Sequence, residues 1–456
     1  MMNALLQEDN HLFLNERNKS MSYVKNVNPL KPYSRGVSII GVGATPFMLT
    51  MDNKETRGLT HGELFGYAAI EAMRDAGITA KDVDMYVHGN AGPGWQEDMG
   101  TPNMHVANWF GMKAKPSVHH SEACGTGYVA LEQAVSYVAS GAYDIVLTGC
   151  CDFSYSIYKD NKHPSFMRKH CTDVQWNDIV INSQAKDYTM WQHCGGSLAT
   201  EAWLDRYVVE NKIEDKIEDV LMTLSKYSRE NAARNPYSVN HTTYDDMAKM
   251  FKMESAEEFL RSKYNPKLGR YMHASHFEVR ADGAAAAIVC PTEMAYKFTD
   301  RPVEVLGIGH SCLEQNTPAL EKFATEAAYH NVRELTGLTG KDIDLFTTND
   351  FFQQCQFLAP EECEYIPRGE GWQYVLDGRL QTTGDRPVNT HGGRCCYGHA
   401  HGTSGMHDLY ETIMQMRGER GENQVQHPIN YAMIRGFGGS QNVLCTILKN
   451  NAKEGK

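Results

Sequence analysis

The chain is organised around one stretch, His119-His120-Ser121-Glu122-Ala123-Cys124-Gly125-Thr126-Gly127-Tyr128. Residues 129–138 carry apolar side chains at helical spacing, which predicts a helix that begins just after Cys124. A thiol at a helix start lies near unpaired N–H groups and the positive end of the helix dipole, and both favour the thiolate. We therefore expect Cys124 to be a nucleophile; the alternative is a buried structural cysteine at a tight turn.

Strands and helices alternate around this stretch. Thr60 followed by Glu63 is a capping box and predicts a helix that begins at Thr60. The predicted elements of the first half are strands over 36–43, 81–90 and 143–149 and a helix over 60–76. Such alternation is typical of a layered α/β fold.

The pattern of the first half recurs in the second. The segment 303–309 resembles 37–43, and 337–350 resembles 77–90, at offsets of about 260 residues. Gly402-Thr403-Ser404-Gly405, before a helix over 406–416, is the counterpart of the Cys124 turn. The sequence thus predicts a duplicated βα core with pseudo-two-fold symmetry, in which Cys124 faces residues 398–405.

The chain divides into four predicted regions. An N-terminal extension (1–35) precedes an N-terminal half (36–151, completed by 281–295), and a C-terminal half covers 296–450. Between the halves, 152–280 is rich in Tyr, Asn, His and Met and has two predicted helices, over 198–210 and 217–233. We expect this insertion to be helical and loop-rich and to lie over the core.

Bulk composition excludes several classes of function. The net charge of −12 provides no global basic surface for nucleic acid. No apolar run approaches the roughly 20 residues that span a bilayer, and the first 35 residues do not resemble a signal peptide. Twelve cysteines without paired spacing fit a reducing compartment, so we expect a cytoplasmic protein without a membrane partner.

A cysteine beside an imidazole is the usual arrangement for acyl transfer, and symmetry places His399 beside Cys124. There His399 would bind a developing oxyanion or exchange protons. Asn349, at the end of a predicted core strand, offers an amide for the same purpose. The turn 436–440, Gly-Phe-Gly-Gly-Ser, can direct backbone N–H groups toward an oxyanion.

Several segments, taken together and in order, resemble the thiolase superfamily, close to the sterol-carrier-protein-type thiolases. They are Cys124 with its helix start and the segments 140–149, 228–237, 281–286, 389–393 with 398–399, and 436–439. The resemblance covers about residues 37–448. It implies a thiolase fold of five layers (α/β/α/β/α), a thiolase-type dimer, and chemistry on CoA thioesters.

The resemblance also implies roles for individual residues. Cys124 would take the acyl group, His399 and Asn349 would form one oxyanion site, and the Cys124 N–H with that of Gly438 or Gly439 would form the other. The implied reaction is cleavage of a 3-oxoacyl-CoA with CoA, or the reverse Claisen condensation. Coenzyme A enters as a substrate, and no metal is expected in this chain.

The chain departs from the family in lacking a second, acid–base cysteine. Thiolases carry it in a C-terminal Cys-x-Gly turn, here Arg435-Gly436-Phe437-Gly438-Gly439, or at the position of Phe351. The candidates for its role are Cys396 (with Cys395), His401, Asp350 and a bound water. Thiolase-like proteins without this cysteine include large subunits that work with a small zinc-ribbon/OB-fold subunit, as in the two-subunit benzoylsuccinyl-CoA thiolase. The aromatic and Met side chains of the insertion favour a bulky or aromatic acyl group.

Three alternatives remain open. His399 and His401 with His407, or His273 with His276, are candidate zinc ligands. A ketoacyl-synthase-like condensing enzyme also uses cysteine, although the order Asn349 then His399 is that of thiolases. The third is a non-catalytic subunit that binds CoA esters on a thiolase fold, which predicts that Cys124 forms no acyl adduct.

Overall fold

Nine strands pair into one mixed sheet in the computed structural model, which describes residues 32–91, 101–159, 203–312, 325–438 and 442–452. The strands are β1 Val37–Ala44, β2 Met85–Gly89, β3 Ser117–His120, β4 Val146–Phe153, β5 Asp282–Pro291, β6 Val303–Cys312, β7 Leu345–Thr348, β8 Tyr431–Gly438 and β9 Asn442–Asn450. Their order across the sheet is β3-β2-β4-β5-β1-β6-β9-β8-β7.

Helices connect these strands throughout the described residues. They are α1 His61–Asp75, α2 Pro102–Ala107, α3 Thr126–Ala139, α4 Ser154–Lys159, α5 203–211, α6 Ile217–Arg234, α7 Tyr244–Met250, α8 Ala256–Leu260, α9 Thr292–Ala295, α10 Thr325–Thr336, α11 Cys355–Glu362, α12 Gly371–Leu376, α13 Gly393–Cys396 and α14 Ser404–Met416. No helix among them is both long enough and apolar enough to cross a membrane.

The sheet consists of two halves with the same pairing, as the sequence repeat predicts. β2-β4-β5-β1 corresponds to β7-β8-β9-β6, and in both sets the first pair is parallel and the next two are antiparallel. Each half interrupts its strand register once, at Ile40 in β1 and at Leu306 in β6. The halves join where three residues of β1 pair with β6. The duplication is therefore present in the strand pairing and in an irregularity at equivalent positions.

Three buried clusters separate the layers. α1 packs on the outer face of the first half, with Tyr86 of β2. α3 and α14 lie in the central cluster with residues of both halves, including Val87 of β2. α10 packs on the outer face of the second half. Neighbouring strand residues such as Tyr86 and Val87 point to opposite faces, so one sheet supplies two cores. The predicted five-layered thiolase fold is confirmed.

Local signals placed most element ends correctly. Thr60 caps α1, its side chain accepting from the Glu63 N–H while the Glu63 carboxylate accepts from Thr60 N. The helix predicted over 217–233 is α6, which ends before Asn235. The strand predicted over 143–149 is β4 and continues to Phe153, and α14 begins two residues before the predicted start.

Helices α5 and α6 of the insertion pack on the second half of the core. Side chains of α5 and α6 share a buried cluster with those of α10, α11 and α12. Most of the aromatic and Met side chains expected to favour a bulky acyl group lie in 160–202, outside the described residues. Phe153 is described, and it is buried in the outer core beneath α1.

Candidate active site

Cys124 lies in the turn between β3 and α3 and is half-buried. Ala123 has a φ of 47°, a left-handed conformation that is uncommon outside glycine. The Thr126 hydroxyl holds the turn, since it donates to the Ala123 carbonyl (2.7 Å) and accepts from the Glu122 N–H (2.8 Å). This turn presents the thiol to the second half of the core.

The starts of α3 and α14 are in contact, as the pseudo-symmetry predicts. A β carbon at Gly127 would lie 2.8 Å from the Met406 nitrogen and 2.9 Å from the Gly402 oxygen. Only glycine allows the two helices to approach this closely. The contact brings the loop before α14 onto the Cys124 turn.

His399 lies beside the thiol, at the place where the pseudo-symmetry predicts it. Its Nε2 is 3.4 Å from Cys124 Sγ, and its Nδ1 is 2.9 Å from the Ser404 hydroxyl. Ser404 donates its own proton to the Ala400 carbonyl (3.0 Å), so it accepts from Nδ1–H. Neutral His399 therefore keeps its Nε2 lone pair for the thiol.

The surroundings of the thiol oppose the thiolate expected from the helix start. Burial raises the pKa of Cys124 to about 12, and the Glu278 carboxylate adds to this effect, while Arg394 and Arg280 oppose it. Burial also lowers the pKa of His399 well below its usual value, although Glu278 opposes that shift. α3 begins only at Thr126, and burial removes the water that would stabilise a thiolate. Both shifts therefore favour a neutral thiol and a neutral imidazole, against the thiolate that the helix start alone would favour.

Glu278 and Arg280 are site residues that the sequence analysis missed. Glu278 Oε2 is 3.2 Å from His399 Nε2, and Oε1 is 3.9 Å from His401 Nε2. Arg280 contacts both neighbours, with NH1 3.2 Å from His401 Nε2 and NH2 3.5 Å from Glu278 Oε1. The one sequence signal that could have identified them is their spacing: two charged residues, separated by one residue, lie just before β5, a strand of small residues.

Asn349 and Gly438 support the Cys124 turn. The Asn349 amide donates to the Phe437 carbonyl (2.9 Å) and its oxygen accepts from the Phe351 N–H (3.2 Å). A β carbon at Gly438 would lie 2.5 Å from the Glu122 oxygen and would overlap the Gly125 nitrogen. Asn349 thus fixes the end of β8, which lies directly on the turn. Gly439 is outside the described residues.

Of Cys396, His401 and Asp350, the side-chain candidates for the missing acid–base group, only His401 contacts this cluster in the described structure. Asp350 is buried and accepts from the Arg394 N–H (2.7 Å) and from Gln356 (2.6 Å), and burial raises its pKa to about 6. Cys396 is buried against Ala232 of α6, and burial raises its pKa to about 12. Both residues hold the α13 segment beneath the site.

The histidines do not combine as the zinc alternative supposed. His407 donates to the Thr45 carbonyl (2.9 Å) and stacks on Phe47. His273 and His276 each bond to backbone within their own loop. Glu278, His399 and His401 do place possible ligand atoms within 4.8 Å of one another. The Arg280 guanidinium beside His401 sets a permanent positive charge at that position, so the group fits a metal cation poorly.

A fully buried ion pair fixes the helices that carry the site. Arg394 donates to both Asp408 oxygens (2.8 and 2.6 Å), and the Tyr128 hydroxyl donates to Asp408 Oδ2 (2.5 Å). Arg394 lowers the pKa of Asp408 far below its usual value and so outweighs the effect of burial on this carboxyl. The network joins α3, which follows Cys124, to α13 and α14, which flank His399.

Comparisons with known proteins agree with this geometry. The family model for the thiolase N-terminal domain matches residues 37–218, and that for the thiolase C-terminal domain-like family matches 308–450. An acetyl-CoA acetyltransferase of Methanothermobacter thermautotrophicus is 28% identical over 89% of this chain and 97% of its own. The benzoylsuccinyl-CoA thiolase subunit BbsB of Thauera aromatica is 27% identical over 71% of this chain and 77% of its own.

Solved structures show the same fold. The Ltp2-ChsH2(DUF35) aldolase superposes with a TM-score of 0.71 at 20% identity, over 93% of this chain and 100% of that one. The two family models together span both halves of the core, and the Cys124 turn lies inside the first. The chain belongs to the thiolase superfamily and is an acyltransferase of the thiolase type.

Proposed function

We propose that this chain cleaves 3-oxoacyl-CoA thioesters with CoA, or catalyses the reverse Claisen condensation, through an acyl-enzyme on Cys124. The observation that carries the proposal is the contact of Cys124 Sγ with His399 Nε2 at 3.4 Å, with Ser404 setting the tautomer of the ring. Coenzyme A is a substrate in this scheme, consistent with the acetyl-CoA acetyltransferase relative.

Because the resting thiol is neutral, attack and deprotonation occur together. Cys124 Sγ bonds to the keto carbon of the substrate while its proton moves to His399 Nε2. The negative charge that develops on oxygen is held at two places. The Nε2–H that His399 gains in this transfer and the Asn349 amide form one of them, and the backbone N–H of Cys124 with that of Gly438 or Gly439 forms the other. The C–C bond then breaks, and CoA thiol resolves the acyl-enzyme.

The acyl group that we propose is bulky or aromatic, and the chain works with partners. The likeness to a benzoylsuccinyl-CoA thiolase subunit supports both points, and the Ltp2-ChsH2(DUF35) complex shows a related fold with a second protein. A small zinc-ribbon/OB-fold subunit is therefore proposed.

Among the described residues β3 is a terminal strand of the sheet, and its outer edge offers backbone groups to a second copy in a thiolase-type dimer. Sedimentation of the protein with and without co-expressed candidate subunits measures both assemblies.

The test is intact-protein mass after mixing with short, long and aromatic 3-oxoacyl-CoA esters. We expect a mass gain equal to one acyl group, which free CoA removes and which Cys124→Ala abolishes. Cys312→Ala is the matched control, since this exposed cysteine should not affect the adduct. An adduct that persists in Cys124→Ala contradicts the proposal. So does a lack of adduct with every ester in protein purified with its native partners, which favours a non-catalytic CoA-ester-binding subunit.

A further inference from the structure

We infer that Glu278 is the second acid–base group of this site and replaces the cysteine that the chain lacks. The inference rests on the proposed thiolase reaction and adds to it the group that protonates the enolate. Thiolases carry that cysteine at one of two positions. In this chain those positions hold Phe351 and the glycine turn that includes Gly438. The reaction still requires a group that gives a proton to carbon and later takes one from CoA thiol.

The backbone places Glu278 next to the position of the missing cysteine. The Glu278 N–H donates to the carbonyl of Phe351 (3.1 Å), and Phe277 forms a β-bridge with Phe352. On the other side, the His399 N–H donates to the Val279 carbonyl (2.7 Å). The segment before β5 is thus an extended strip held between the loop after β7 and the loop before α14.

An extended strip alternates its side chains, so Glu278 and Arg280 share a face. That face is turned to the site, because Glu278 contacts His399 and Arg280 contacts His401. The Glu278 side chain keeps 17% of its surface exposed, whereas the His399 side chain has none. The carboxylate therefore keeps some access to solvent while it contacts the buried imidazole.

The thiol and the carboxylate meet at one ring atom. His399 Nε2 is 3.4 Å from Cys124 Sγ and 3.2 Å from Glu278 Oε2. Arg280, 3.5 Å from the other carboxylate oxygen, orients the group. Asp350 and Cys396 have no such contact in the described structure, since their partners lie in the layer beneath. A proton can therefore travel between sulfur and the Glu278 carboxylate through Nε2.

The proton balance closes over the full cycle. Sulfur bonds to the keto carbon, and its proton passes through His399 Nε2 to Glu278. The C–C bond breaks, its electron pair enters the thioester enolate, and Glu278 returns the proton to the enolate carbon. In the second half, Glu278 takes the proton of CoA thiol while CoA sulfur bonds to the acyl carbon. The C–S bond to Cys124 breaks, and the sulfur recovers its proton from Glu278 through Nε2.

The experiment separates acylation from proton transfer to carbon. S-phenyl thioacetate is the acylating probe, because its thiophenolate leaves without an acid. Exchange of the methyl protons of acetyl-CoA in D2O, followed by NMR, reports transfer at carbon. Cleavage of acetoacetyl-CoA by CoA reports turnover. The variants are Glu278→Gln, Glu278→Asp and Cys124→Ala, with the exposed Glu257→Gln as matched control.

In Glu278→Gln, exchange and turnover should each fall by about 10²–10⁴-fold, the usual contribution of a general acid–base group. The phenyl thioester should still acylate Cys124, because thiophenolate leaves as an anion and His399 can keep the sulfur proton. Near-UV circular dichroism that matches wild type shows that the variant is folded. Glu278→Asp should retain part of the exchange rate, and Glu257→Gln should match wild type. Exchange at the wild-type rate in Glu278→Gln overturns the inference while leaving Cys124 as the nucleophile. If wild type purified with its native partners takes no acyl group at Cys124 from the phenyl thioester or from any 3-oxoacyl-CoA ester, the proposed function has failed instead.

Discussion

Ser404 is the residue whose loss should damage the site most selectively, and Ser404→Ala is the change that tests it. Its hydroxyl is fully buried and accepts the Nδ1–H of His399 at 2.9 Å. When the ring takes the thiol proton in the transition state this hydrogen bond becomes charge-assisted, and its loss in alanine costs about 1–3 kcal/mol there. Since about 1.4 kcal/mol is tenfold in rate, kcat/KM should fall by about 5- to 150-fold.

Initial rates of acetoacetyl-CoA thiolysis measure this effect over a range of substrate concentrations. The loss should appear in kcat more than in KM, because the imidazole acts on the transition state. Ser136→Ala is the matched control: Ser136 is exposed on α3 and donates only to the Glu132 carbonyl. If Ser404→Ala keeps the wild-type kcat/KM, Ser404 does not set the tautomer of His399, and the assignment of Nε2 as the proton acceptor is refuted.

Three further outcomes follow. Asp408→Asn leaves the buried charge of Arg394 without its partner and should lower the free energy of unfolding by about 3–5 kcal/mol. The double variant Asp408→Asn with Arg394→Met should recover part of this loss. Urea denaturation followed by tryptophan fluorescence measures both variants. Because burial raises the pKa of Cys124 to about 12, alkylation of Cys124 by iodoacetamide should be slow at pH 8, and its rate should increase as the pH approaches that pKa. At pH 8 Cys124 should react more slowly than exposed Cys312. Peptide mass mapping measures the alkylation of each cysteine. Gly438→Ala places a methyl group 2.5 Å from backbone of the nucleophile turn, so the acyl adduct of the mass assay should form more slowly or not at all, and an unchanged rate contradicts the proposed packing.

Local chemistry and the internal repeat explain how much of the fold could be predicted. The hydrogen bonds between Thr60 and Glu63 depend on residues three apart, so the start of α1 is readable from sequence. The constant sequence offset between the two halves predicted the arrangement of the site, because equivalent helix starts must face each other across a pseudo-two-fold axis. That geometry is why Cys124 and His399, which are 275 residues apart, could be paired from the sequence alone.

The parts that could not be predicted depend on tertiary packing of unlike segments. Glu278 belongs to neither repeat, and its place in the site comes from backbone pairing with Phe351 and with the loop that carries His399. The pKa of Cys124 could not be predicted from the sequence for a related reason. A helix start favours thiolate only while water or cations solvate the charge, and here burial and Glu278 work against it.

A neutral resting thiol changes what the site must supply. A preformed thiolate needs no base, whereas a buried thiol must give up its proton as it attacks, and the acceptor must not hold it too tightly. His399 meets the first requirement because its free Nε2 faces sulfur, and burial makes it a weak base, so the proton moves on rather than resting on the ring. Glu278 meets the second because it contacts that same atom and keeps part of its side chain exposed. In the proposed scheme a neutral thiol therefore couples the attack of Cys124 to proton delivery, and one cysteine suffices for the reaction.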